Sequence, residues 1–440
     1  MIIVLEKQEK YYNEIIADLE KYNATISSKH TLLAFIKKVT KFATYNNNLR
    51  GKTFKGLNSC GYARKDLVIA KKVEIDDKAV LVHSLINHCG SISACPECSR
   101  KIANARVDEL QKAFDFKEWK NAGMITLTAP HHCYDDGAEF VRKMNKAFND
   151  LIKLRKGQDL FKNINWARVW EMNFGKNGWH YHFHVAVFSD DVIKAFEIKK
   201  HWLHCLLKNG LIDDVENADI KKRAFNYESF DLNNKNSSKK VSRYLNKLAF
   251  ELAHSSTKKA KKDSLGFFDI CKLMTTSKEN FDKYYLRFCE YLVITKNLRC
   301  RWSKNFRKMV NVKTDEEIAN NEDGENEAKI LWGVKAEQLK FLRKSLMYET
   351  YVEIANKFDV NEVNLLFENC GIGEVVGADE AEKFEYKIKH MQEIAGGEKI
   401  ILQEYKYNKN KQHFIDVEFG DMMYKTCDVE NEIAGELFEC

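Results

Sequence analysis

Three histidines at every second position, in Trp179-His180-Tyr181-His182-Phe183-His184-Val185, constrain this chain more than any other stretch. Successive side chains of a β-strand point to opposite faces, so in a strand these imidazoles share one face. The other parity, Tyr181, Phe183, Val185 and Val187, is apolar and suits a core. The segment therefore reads as a half-buried strand whose polar face is imidazole, a platform for a metal ion.

A partner strand lies just upstream. Ala167-Arg168-Val169-Trp170-Glu171-Met172 is strand-like, and Asn173-Phe174-Gly175-Lys176-Asn177-Gly178 supplies the Asn and Gly of a hairpin connection. Antiparallel pairing about that turn sets Glu171 across from the region of His180 and His182. Glu171, His182 and His184 would then hold one divalent ion with positions left open, and His180 is an alternative third ligand. Oxygen and imidazole donors without a thiolate suit Mn²⁺ or Mg²⁺ in a phosphoryl-transfer site, while zinc and iron stay open on ligand type alone.

A second donor set is made of thiols. Cys95-Pro96-Glu97-Cys98 offers two thiolates to one tetrahedral zinc ion, with Cys60 and Cys89 as the second pair and His83 and His88 as substitutes. Such a Zn²⁺ would be structural. A thiol–disulfide pair is the competing functional reading, and it lacks the strand and helix frame of thioredoxin-like proteins here. Four reduced cysteines with no metal are the plain alternative. The chain has 12 cysteines, and its start, Met1-Ile2-Ile3-Val4-Leu5 before Glu6 and Lys7, lacks the pattern of a signal peptide. With no apolar run of membrane-spanning length, the expectation is a cytoplasmic protein without a membrane partner.

Charge is segregated along the chain. Residues 311–440 carry 29 acidic against 15 basic side chains, a net of −14, and residues 1–310 carry 56 basic against 35 acidic, a net of +21. A basic body of that size is the footprint expected for a polyanionic partner. A compositional bias toward Lys and Asn would give the same numbers without function. Two basic, turn-rich stretches, Asn233 to Lys240 and Ser255 to Lys262, are candidates for DNA-backbone contact or are solvated loops.

Two further segments accompany the histidine strand. Met124-Ile125-Thr126-Leu127-Thr128-Ala129-Pro130-His131 is a short apolar strand ending in a proline turn, and Lys239-Lys240-Val241-Ser242-Arg243-Tyr244-Leu245-Asn246-Lys247-Leu248 is a basic helix with one tyrosine. In this order the three segments resemble the motifs of rolling-circle plasmid replication initiators of the HUH endonuclease superfamily, single-tyrosine type. Phe183 between His182 and His184 matches the family's histidine-hydrophobic-histidine signature. The segments Cys89 to Cys98 and Leu298-Arg299-Cys300-Arg301-Trp302-Ser303 also resemble the family's cysteine-rich and post-catalytic regions, so the likeness spans roughly residues 60 to 310.

The resemblance implies a nickase acting on single-stranded or hairpin origin DNA. Tyr244 would be the nucleophile, leaving a 5′-phosphotyrosine and a free 3′-hydroxyl for rolling-circle replication, and the strand would later be rejoined. On a helix Lys247 and Lys240 share the face of Tyr244, and Lys239, Lys240 and Arg243 would bind DNA. Host helicase and polymerase follow as partners by family likeness, and a second copy of the chain as a further candidate. Some relatives place a glutamate where this chain has Lys240, so termination would rely on a second protomer's Tyr244 or on Glu228 or Asp231.

The fold class expected is α/β, an HUH-type catalytic domain with a central antiparallel sheet flanked by helices, plus a zinc-binding segment and helical terminal regions. Composition and periodicity divide the chain into a helical region 1–58, a cysteine-rich segment 59–105, a catalytic domain 106–310, an acidic linker 311–327 and an acidic region 328–440. Rival functions are a zinc-containing DNA-binding repressor without nuclease activity, a relaxase- or transposase-like HUH enzyme, and an iron oxygenase with two histidines and a carboxylate.

Overall fold

The computed structural model describes residues 2–26, 28–75, 78–116, 119–230, 264–296, 298–319 and 328–388. Residues 1–381 form one compact unit, and the second unit, residues 382–440, is described only as far as residue 388. The architecture is α/β, with antiparallel sheets flanked by helices.

The chain opens with two helices, α1 (Ile2–Thr25) and α2 (Lys29–Tyr45). Ser28 starts α2 by accepting the backbone N–H groups of His30 and Thr31, which would otherwise lack partners at a helix start. A short α3 (Lys55–Ser59) leads into strands β1 (Leu67–Ile75) and β2 (Lys78–Ser84), and α4 (Cys98–Asp115) follows. The main sheet begins with β3 (Asn121–Leu127). Helices α5 (Gly137–Lys153) and α6 (Arg155–Phe161) precede the hairpin of β4 (Asn165–Gly175) and β5 (Gly178–Ser189). After α7 (Ala195–Lys208) and α8 (Ala218–Arg223) comes β6 (Phe225–Phe230). Beyond residue 263 come α9 (Phe267–Met274), α10 (Lys278–Thr295), β7 (Arg301–Trp302), α11 (Lys304–Met309) and α12 (Asp315–Ala319). Last come β8 (Lys329–Lys335), α13 (Ala336–Lys344), α14 (Tyr348–Ala355) and α15 (Val360–Asn369).

The five-stranded sheet has the order β6-β3-β5-β4-β7, all antiparallel, with the histidine strand β5 at its centre. One face of β5 is filled by Tyr181, Phe183 and Val185, each at most 1% exposed. Phe183 packs on Phe148 of α5 with ring centroids 5.4 Å apart, and Trp179 packs on Tyr291 of α10 at 5.2 Å. The apolar parity read from the sequence is thus the core face, covered by helices. The hairpin turns through Lys176 and Asn177, and Gly178 takes a left-handed φ of +84°, which glycine adopts without the clash a Cβ brings.

A smaller sheet, β2-β1-β8, carries a second core in which Trp332 and Tyr351 are buried beside Val363 and Phe367. Composition had set 59–105 and 328–440 apart, yet β8 pairs along β1 from Leu67↔Lys335 to Lys72↔Lys329. The segment 328–381 is thereby tied to residues 67–84. Strand pairing over some 260 residues leaves no mark on local composition. No helix among the described residues is long and apolar enough to cross a membrane.

Candidate metal centres

The β4–β5 register pairs Glu171 with His182, Asn173 with His180 and Val169 with His184. Directly opposed residues of an antiparallel pair point to the same face, so the carboxylate and the imidazoles meet. Glu171 Oε2 lies 3.0 Å from His182 Nε2 and 3.3 Å from His184 Nε2, and the two Nε2 atoms are 3.0 Å apart. Adjacent donors held at ~2.1 Å by a six-coordinate ion are ~3.0 Å apart, whereas tetrahedral placement would spread them to ~3.4 Å. The three donors form a triangle that could hold a metal ion.

Neighbouring groups fix the triad's orientation. Asn173 Nδ2 donates to Glu171 Oε1 at 2.6 Å, and Thr126 Oγ1 of β3 lies 3.2 Å from His184 Nδ1. A bond to the second ring nitrogen sets which nitrogen remains for a ligand. His182 Nδ1 is buried and has no hydrogen-bond partner among the described residues. Burial by itself would raise the Glu171 pKa, but the hydrogen bonds and charges of His182 and His184 hold it far below the usual carboxylate range. Glu171, His182 and His184 are each 7–9% exposed, so the site is a recess rather than a flat surface.

His180 is exposed, at the edge of the triad, with its ring 5.0 Å from both His182 and His131. The row of imidazoles therefore continues to the end of the 124–131 segment. The sequence gives Thr126 and His131 no role of their own and reads Asn173 as part of the hairpin connection, whereas β4 continues through Asn173 to Gly175. Thr126 and His131 sit within the quoted strand and turn, and Asn173 lies two residues from Glu171 on the same strand face. Strand period alone could have found Asn173.

The β3–β5 and β3–β6 registers extend this face. Thr126 pairs with His184 on one side and Asn226 on the other, and Glu228 pairs with Met124. Asn226 and Glu228 thus share the triad face, and Glu228 is exposed. Tyr227 has the opposite parity and lies over Gly123, where an added Cβ would meet its ring at 2.5 Å. The segment carrying Tyr244, Lys239, Lys240, Arg243, Lys247 and Asp231 lies outside the described residues, as do both basic stretches in which DNA contacts were expected. Its described flanks are both attached to this sheet, through β6 at one end and through Leu265 at the other. Leu265 exchanges two backbone hydrogen bonds with Phe174 of β4, at 2.7 and 2.8 Å.

The four cysteines come together from three places. Cys60 ends α3, Cys89 and Cys95 lie in the loop after β2, and Cys98 begins α4. Cys60 Sγ is 3.5 Å from Cys95 Sγ and 3.6 Å from Cys98 Sγ, and Cys89 Sγ is 3.8 Å from Cys98 Sγ. Four sulfurs at ~2.3 Å from a tetrahedral zinc are ~3.8 Å apart, so the cluster fits that ion's donor set and size. The Cys98 N–H points at Cys95 Sγ at 3.4 Å, while burial and the neighbouring thiols push the Cys95 thiol well up. Hydrogen bonds from neighbouring thiols lower Cys60 to about 6 and lower Cys98 further. His88 stands beside the sulfurs; burial opposes its protonation, but Cys60 and Cys98 raise it to about 9. His83 is not part of the cluster, because its Nε2 is bonded to Tyr351 Oη at 2.8 Å in the small sheet's core.

The cluster is braced from both ends of the chain. Glu97 Oε1 takes hydrogen bonds from Arg343 Nη1 of α13 at 2.7 Å and from His30 Nδ1 of α2 at 2.6 Å. Lys37 Nζ donates to the Cys60 carbonyl, and its ammonium lies 4.0 Å from the Tyr62 ring centroid. Against these geometries, comparison with family models, with curated proteins and with solved structures found no match to this chain.

Proposed function

We propose that the chain is a metal-dependent DNA strand-transferring nickase of the HUH type, acting in rolling-circle replication. The observation that carries this reading is the Glu171–His182–His184 triangle, held on two paired strands in register and beside the strand of the 124–131 segment. The same order of segments suggested that family from the sequence. A donor set of two imidazoles and a carboxylate without a thiolate suits Mn²⁺ or Mg²⁺. A divalent ion held there would polarise a non-bridging oxygen of a scissile phosphate.

The protein's own groups supply the rest. Tyr244 attacks phosphorus and the DNA 3′-oxygen leaves as a hydroxyl, which conserves the phosphodiester energy in a 5′-phosphotyrosine for later rejoining. Tyr227 is a poor substitute, because its parity turns it away from the triad. Lys240 and Lys247 compensate phosphate charge, and the +21 net charge of residues 1–310 supplies sequence-independent attraction for DNA. The cysteine cluster would hold structural Zn²⁺ and fasten the α4 start to α2 and α13. Supercoiled DNA carrying the native origin, incubated with the protein and Mn²⁺, should yield a nicked circle with protein on its 5′ end. DNA bound but never cut, under any divalent ion, would favour a repressor instead.

A further inference from the structure

Among the described residues Arg168 is a buried cation without an anionic partner. It is 2% exposed and lies on β4, on the face opposite Glu171. Its guanidinium sits 4.6 Å from the Phe148 ring centroid and 4.2 Å from that of Phe183. Nη1 donates to Asn145 Oδ1 at 3.0 Å, while Nε has no partner among the described residues. Burial lowers its pKa to about 10. Buried arginines are seldom left unpaired, because desolvation of the charge must be offset by a counter-charge or full hydrogen bonding.

Arg168 lines an open cleft of about 580 Å³ between α5, α10 and the 298–301 segment. Two further cations with neutral partners border the same space. Arg301 Nη1 donates to Asn149 Oδ1 at 2.7 Å, and Lys52 Nζ donates to the Val293 carbonyl at 2.6 Å. Among the described residues no carboxylate pairs with Lys52, Arg168 or Arg301. The acidic residues at the rim are already engaged, Asp136 with Arg50 at 2.9 Å and Glu139 with Arg142 at 2.6 Å. One wall is apolar, formed by Val141, Ile294 and Leu298. A cation cluster beside an apolar wall, in a space far larger than one phosphate, matches a ligand with an anionic end and a flat, less polar body.

We propose that this cleft binds a nucleoside phosphate, with its phosphate among the cations that line it, Arg168 and Arg301 together and Lys52 at another point of the lining, and its nucleoside on the Val141–Ile294–Leu298 wall. The site is separate from the triad, since Arg168 and Glu171 leave β4 on opposite faces. The same chemistry can come from a free nucleotide or from the 5′-phosphorylated end of a DNA strand. The site stands whether or not the chain cuts DNA.

Calorimetry of the full chain, in metal-free buffer with EDTA, tests this with three probes: ATP, a 5′-phosphorylated DNA trinucleotide, and adenosine. Wild-type protein should bind one of the two phosphorylated probes at least about tenfold more tightly than adenosine, and Arg301→Gln and Lys52→Gln should each weaken that binding about tenfold or more. Binding of ATP alone assigns the free nucleotide, and binding of the trinucleotide alone assigns the strand end. Lys52→Gln decides the matter if Arg301→Gln does not fold, because the half-buried Lys52 ammonium donates to a backbone carbonyl and pairs with no carboxylate among the described residues. His182→Ala should bind the probe like wild type, which separates this site from the triad and from any nicking activity. No binding of either phosphorylated probe, or binding unchanged in the folded variants, would overturn the proposal.

Discussion

Glu171 and His182 face each other in register across the β4–β5 hairpin, with Oε2 3.0 Å from Nε2. The same oxygen is 3.3 Å from His184 Nε2, which makes the carboxylate the common vertex of the site. Glu171 is therefore as necessary to the proposed metal centre as either histidine.

Mn²⁺ should raise the melting temperature of the wild-type chain, since a ligand at ~100 times its Kd stabilises the native state by about 2.7 kcal/mol. Glu171→Ala, His182→Ala and His184→Ala should each abolish that shift and nicking, while DNA binding stays near wild type. A full Mn²⁺ shift in Glu171→Ala, with His180 substituting, would remove the carboxylate from the ligand set.

Covalent capture tests the nucleophile. Tyr244→Phe should leave the metal-induced shift intact and yield no DNA adduct, because only the proposed attacking oxygen is lost. Adduct mass spectrometry that located the DNA on Tyr227 would contradict both the assignment and the sheet parity. Lys240→Glu should raise hydrolytic release of the adduct, because a carboxylate can act as general base where an ammonium cannot. If wild type already releases it with water, at a rate unaffected by changing Glu228 and Asp231, that account of termination fails.

Native, reduced protein should contain about one zinc. Replacing Cys95 and Cys98 by serine should remove it and unfold the segment around α3 and the start of α4, since structural zinc binding is coupled to folding at roughly 10–16 kcal/mol. Metal analysis finding no zinc in wild type, or full zinc in the double variant, would exclude the site.

Arg343→Met should be more damaging than its position far along the chain suggests. It strips Glu97 of a partner at 2.7 Å, with both side chains 7% exposed, and a broken buried ion pair typically costs about 3–5 kcal/mol. The double change with Glu97→Gln should restore part of that loss. Urea unfolding showing Arg343→Met within 0.5 kcal/mol, roughly the scale of a neutral surface change, would mean the pair does little.

Acid should weaken the small sheet through His83. Burial, aided by the charge of Arg343, lowers its pKa to about 3, so in the folded chain it stays neutral where the unfolded chain takes up a proton below about 6.5. Its contribution is present above 6.5 and is lost as pH falls from 6.5 toward 3. His83→Gln keeps a hydrogen-bonding group for Tyr351 but cannot titrate. The stability difference between wild type and His83→Gln should therefore shift by about 1–2 kcal/mol between pH 7 and pH 5. Parallel stability curves across that range would show that His83 does not titrate in this way.

Local relations in this protein are legible in its amino-acid order. Alternation at period two made residues 178–189 a strand with imidazoles on one face, and a turn within 173–178, tightened in the structure to Lys176 and Asn177, brings Glu171 opposite His182. Those relations are set within twenty residues, where strand parity leaves one answer. The four cysteines were legible as a set because thiolate pairs at that spacing have few other uses. Contacts between distant segments emerge from the packing: Thr126 against His184, Arg343 on Glu97, and the pairing of β8 with β1. Packing also decided that His83 belongs to a core with Tyr351 and not to the cysteines, and that Arg168, Arg301 and Lys52 border one cleft. Such contacts form because each element must bury its apolar face against another, and which partner it finds depends on the packing of the whole chain.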